Sequence, residues 1–93
     1  MLLASKNHGL GNTTRWEVDY SQWLTNPSVI LSALVVSSSL TLTIQASPSI
    51  LGKSVVFFTV GGVLGETPTV TLTITDTYGN TKIDTINFAV VAQ

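Results

Sequence analysis

Thr69-Val-Thr-Leu-Thr-Ile-Thr-Asp76 and Thr81-Lys-Ile-Asp-Thr-Ile-Asn-Phe-Ala-Val-Val91, joined by Thr77-Tyr-Gly-Asn80, are the stretch whose reading decides the fold. Successive side chains of a strand point to opposite sides of its sheet. Val70, Leu72 and Ile74 therefore share one face, and Thr69, Thr71, Thr73 and Thr75 the other. The return segment repeats the alternation with Ile86, Phe88 and Val90. Between the two segments, Asp76 to Asn80 supplies residues that accept positive φ or bond their own backbone, as a tight reversal requires. The pattern predicts a β-hairpin that closes a sandwich, with threonine on its outer surface.

Working outward, Arg15-Trp-Glu-Val-Asp-Tyr20 also alternates, with Trp16, Val18 and Tyr20 inward and Arg15, Glu17 and Asp19 outward. Ser21 to Leu24 reads as a corner that tucks Trp23 and Leu24 under the core, and Asn26-Pro27 as a turn. Val29 to Val36 is the longest mostly apolar run. It is far below the roughly 20 residues that cross a bilayer as a helix and reads as a buried strand, or as two strands' worth of core. Leu40-Thr-Leu-Thr-Ile44 is a further strand with Leu40, Leu42 and Ile44 inward, and Pro48 to Gly52 reads as a turn. Ser54 to Val60, apolar on both faces, reads as a central strand ended by Gly61-Gly62. No stretch shows a helical period. The expected fold is all-β, a single immunoglobulin-like β-sandwich of about six to seven antiparallel strands, because short strands recur with turn signals every 8–12 residues or so. Residues 1–14, polar and glycine-bearing over Ser5 to Thr14, read as an N-terminal extended arm, and residues 15–93 as the sandwich.

Composition narrows the function. The 93 residues suit one domain. With 10% charged residues and a net charge of −1, the chain lacks the clustered basic surface of nucleic-acid binders, and Lys6, Arg15, Lys53 and Lys82 are scattered. Without cysteine there are no disulfides, thiolate nucleophiles or Cys-zinc sites. Met1 to Ser5 lacks the charge and apolar length of a signal peptide, and no membrane association is expected. Positive mean hydropathy implies apolar surface covered by partners.

Two blocks resemble the small immunoglobulin-like virion proteins of tailed bacteriophages. One is Trp16-Glu-Val-Asp-Tyr-Ser-Gln-Trp-Leu24; the other runs from Val56 through the glycine pair to Asp76, Gly79-Asn80 and the return strand. The similarity spans roughly residues 16–91 and is loose over residues 26–53. It implies a non-enzymatic virion structural protein, a decoration or cement protein on the capsid surface, made and assembled in the host cytoplasm. Its implied partners are the major capsid protein or other virion proteins, together with copies of itself. The alternatives are a neck, tail or fibre-attachment component, and a carbohydrate-binding host-adhesion module.

The chemical inventory agrees with a non-enzymatic role. His8 is the single histidine and falls in the expected arm, away from any serine or acid that could complete a catalytic constellation. Asp76, Asn80 and Asp84 surround one hairpin, yet calcium takes about 6–8 oxygen ligands. An Asx-type turn accounts for Asp76 more economically. Asn12-Thr13-Thr14 matches a glycosylation sequon, a short motif that arises readily by chance. Trp16 and Tyr20 share a strand face with Val18, which favours core over a sugar-stacking platform. No cofactor or metal is expected. The residues expected to bind partners are Leu2, Leu3, His8 and Leu10 of the arm, and Trp23.

Overall fold

The computed structural model describes residues 2–9, 11–24, 28–39 and 41–92, with backbone alone for residues 2–4, 46 and 47. Seven strands form two sheets: β1 (Leu2–Gly9), β2 (Thr13–Asp19), β3 (Ile30–Ser37), β4 (Leu42–Leu51), β5 (Ser54–Gly61), β6 (Thr69–Asp76) and β7 (Thr81–Val91). A four-stranded sheet has the order β1-β7-β6-β3 and faces a three-stranded sheet of order β2-β5-β4. Strands two, five and four against seven, six and three is the seven-strand immunoglobulin arrangement, with the first strand carried on the sheet of the last.

The β6–β7 hairpin forms as its alternation predicts, with Val70 opposite Ile86 and Leu72 opposite Asp84. Val70, Leu72, Ile74, Phe88 and Val90 are at most 2% exposed, and the first four share a core cluster with Leu42, Val55 and Phe57 of the facing sheet. Each such side chain contributes about 1.5–3 kcal/mol by leaving water. Trp16 packs edge-on against Phe88 with ring centroids 5.0 Å apart, so the first aromatic block belongs to the core. β5 is the central strand of its sheet, with Val55, Val56, Phe57 and Thr59 buried.

The glycine pair ends β5 for steric reasons. A Cβ on Gly61 would lie 2.8 Å from the Thr41 carbonyl oxygen, and one on Gly62 would lie 2.9 Å from a Val90 methyl. Both glycines have positive φ, +88° and +103°, which side-chain-bearing residues rarely adopt.

Four expectations change. Leu2–Gly9 is not an arm that stands off the sandwich: it is an edge strand, and it pairs with β7 in parallel rather than antiparallel. β2 starts at Thr13, inside the segment read as arm. The glycines flanking Leu10 concealed this strand, whose polar side chains Ser5, Lys6 and Asn7 face water. Pro48 does not turn the chain. It lies within β4 at a register shift between Gln45 and Ser49, on an edge strand where the missing N–H costs no ladder bond, and the reversal comes at Gly52-Lys53. Val29 to Val36 is not a buried strand either. β3 is an edge strand on which Leu31, Leu34 and Val36 remain exposed. The expected positions of Leu40 and of the Asn26-Pro27 turn lie outside the described residues.

Candidate docking surface

Hydrogen-bonded register across the four-stranded sheet brings its outward side chains into rows. Leu34 lies beside Thr73 and Thr73 beside Ile83; Val36 lies beside Thr71 and Thr71 beside Thr85. Leu34, Val36 and Ile83 are 58%, 51% and 57% exposed. Ser5, Asn7, Thr69, Thr75, Thr81 and Asn87 complete this face, which carries no ionisable side chain among the described residues. β-branched threonine suits a pleated, half-wetted surface. At the β1 end, an open groove of about 360 Å³ is lined by Lys6 together with Ser5, Asn7, Thr67, Thr69 and Asn87, among others.

The opposite face of the sandwich has a different chemistry. Arg15, Glu17 and Asp19 project from β2, with Arg15 Nη2 donating to Glu17 Oε1 at 3.1 Å. The Asp19 carboxylate is held below its ordinary range by hydrogen bonds from Ser21, foremost that from the backbone amide, with Lys53 adding attraction. Charge thus stands exposed on β2 and, as Lys6, on the β1 edge, while the outward rows of the four-stranded sheet carry none among the described residues.

Two polar clusters hold the framework. Glu66 accepts hydrogen bonds from the Thr41 hydroxyl at 2.7 Å, the Val63 amide at 2.9 Å and the Ser39 hydroxyl at 2.9 Å. These bonds, Thr41's first, keep its carboxyl below the usual range against the opposing effect of burial. They fasten the β3–β4 crossover to the loop after β5. In the closing hairpin, burial works against ionisation of Asp76, but the Asn80 and Tyr78 amides, at 2.8 and 3.0 Å, outweigh it and depress the carboxyl. Asp76 therefore makes the Asx-type turn that its position implies. Deeper in, Lys82 Nζ lies 3.1 Å from Asp84 Oδ1 on the inward side of β7. Burial, and then the charge of Asp84, push the Tyr20 phenol well above its ordinary value. Lys82, which its charge alone would assign to solvent or an interface, shares the inward face of Ile86 and Phe88 and answers this buried acid.

Of the residues expected to bind partners, the side chains of His8 and Trp23 are described. His8 is 1% exposed; its Nε2–H donates to the Thr59 carbonyl at 3.4 Å, and its ring meets the edge of Phe88. Trp16 donates to the hydroxyl of the same Thr59 at 2.7 Å, so His8 joins the two sheets from within. Trp23 is half-buried, edge-on to Tyr20 with centroids 6.2 Å apart. Leu2 and Leu3 have their backbone on β1, and Leu10 lies outside the described residues. Leu34 and Val36 were missed because an apolar run carries no mark of edge position, whereas the outward place of Ile83 follows from the alternation of β7. Among the described residues no group of three or more His, Asp or Glu side chains could hold a metal ion.

The model of the podophage GP4 fiber-tail adaptor protein gp77 family matches residues 10–89. The chain belongs to this family. The match takes in β2 to β6 and most of β7, and leaves β1 outside it. No curated protein matches the chain. Among solved structures, a 2,6-sialyltransferase of a Photobacterium species, crystallised with CMP and lactose, superposes with a TM-score of 0.61 at 12% identity. The superposition covers 99% of this chain and 18% of the sialyltransferase, so the likeness is one of fold alone. As a member of the fiber-tail adaptor family, the chain is a structural component of a bacteriophage virion. The family does not support the expectation of a capsid decoration or cement protein. The neck, tail or fibre-attachment alternative fits it better.

Proposed function

We propose that this chain is a non-enzymatic connector that attaches a fibre to the phage tail and docks through the outer face of the four-stranded sheet. The observation that carries the reading is the family match over residues 10–89. The face supports it physically: its outward rows carry no ionisable side chain among the described residues, and Leu34, Val36 and Ile83 stand exposed among threonines. Such a surface lies against another protein at little desolvation cost, since buried charge is what makes burial expensive. The partners are other virion proteins at the tail. Electron microscopy of particles carrying tagged copies tests the assignment, with label expected at the tail. Label spread over the head would overturn it. Ile83→Glu tests the face itself, because it places a charge on an exposed position and should reduce incorporation of a protein that still folds.

A further inference from the structure

Among the described residues the sandwich has four edge strands, and three of them carry features that discourage strand addition. β1 exposes Lys6, β2 exposes Arg15, Glu17 and Asp19, and β4 contains Pro48 and a register shift. β3 has a register shift between Ile30 and Ser32, and from there to Ser37 it runs regularly without charge, proline or bulge. It is laddered on one side only, to β6.

Hydrogen-bond parity identifies the groups at that free edge. The Ser38 amide donates to the Thr69 carbonyl at 2.8 Å. In an antiparallel pair, directly opposed residues alternate between bonded and non-bonded positions. Ser32, Leu34 and Val36 therefore spend their backbone groups on β6, while Ala33, Val35 and Ser37 turn theirs to the open side. The side chains follow the complementary rule: Val35 is buried, whereas Leu34 and Val36 stand on the outer face.

We propose that β3 pairs antiparallel with β3 of a second copy of this chain about a two-fold axis through Val35, giving a continuous eight-stranded sheet. The segment is self-complementary in this register. Val35 faces Val35 of the second copy, and Ala33 faces Ser37, so all three open backbone positions find partners. Leu34 then lies opposite Val36 of the second copy in a non-bonded pair, where Cα atoms approach to about 4.5 Å and side chains touch. No like charges meet. Both threonine faces end on the same side of the joint sheet, so the dimer offers two docking faces at once. The inference goes beyond the attachment reading and stands or falls apart from it, since self-pairing is measured on the isolated protein and tail location on particles.

The test uses the whole chain. Sedimentation equilibrium should show a dimer of the wild type. Leu34→Lys with Val36→Lys opposes two lysine pairs across the axis and should weaken dimerisation at least about tenfold, whereas Leu34→Lys with Val36→Glu opposes lysine to glutamate and should restore it. Circular dichroism of both variants checks that the sandwich is intact. Because the chain has no cysteine, a second arm reads the register directly: Leu34→Cys with Val36→Cys should oxidise to a covalent dimer. Leu34→Cys alone should not, its two copies lying on a diagonal about 7–8 Å apart. A monomeric wild type at high micromolar concentration would overturn the proposal and leave the β3 edge to a different virion protein. Equal loss of the dimer in both charge variants, or equal crosslinking of single and double cysteine variants, would overturn the register.

Discussion

At the residue scale, a few side chains hold the two sheets together. Phe88 is 1% exposed and lies between Trp16 and His8, with ring centroids 5.0 and 6.3 Å away. Phe88→Ala should cost roughly 3–5 kcal/mol, the usual range for emptying a buried phenylalanine site, as measured by chemical denaturation. Gly62→Ala should destabilise by more than about 1 kcal/mol, since its Cβ would press on Val90 from a backbone held at φ +103°. A surface change such as Thr73→Ser should stay within about 0.5 kcal/mol. The identity of these core residues was legible in the sequence, because period-2 alternation sorts Phe88, Leu72 and Ile74 to one side. The role of His8 was not, because its place between the sheets depends on a parallel pairing with Val90, far along the chain.

At the element scale, β1 and the closing turn make distinct predictions. β1 covers one edge of β7 and carries His8 into the interior. Deleting residues 1–9 should therefore lower the melting temperature and promote aggregation through the exposed β7 edge, which scattering during a thermal ramp would report. The turn acid Asp76 and the loop acid Glu66 both have depressed carboxyls in the folded state. Between their ordinary and folded values the unfolded chain binds more protons, so lowering the pH favours unfolding. Their stabilisation is complete above the ordinary carboxylate range, about pH 4–5, and disappears as the pH falls through their folded values. Urea midpoints at pH 7, 4 and 3 should decline for the wild type, and decline less for Asp76→Asn combined with Glu66→Gln.

At the scale of the whole molecule, the sandwich measures 43 × 22 × 19 Å and divides its surface by chemistry. Charge collects on the β2 side, and the opposite sheet presents threonine, Leu34, Val36 and Ile83. A chelator should leave the melting temperature unchanged, because the described residues contain no group of three or more potential metal ligands and the fold rests on apolar burial. A fall in EDTA that calcium reverses would redirect attention to Asp76 and Asn80.

The sequence by itself determined the all-β class, the hairpin that closes the sandwich and the inward set of that hairpin, because strand alternation and turn chemistry are local. It also contained the aromatic block and the glycine pair, and with them the resemblance to phage virion proteins. Tertiary structure alone decided which strands lie at the edges. That choice turned Val29 to Val36 from a supposed core segment into an exposed border and made residues 2–9 a strand. Edge position follows from which distant segments pair, and the pairing is a property of the assembled sheets that no local window of sequence records.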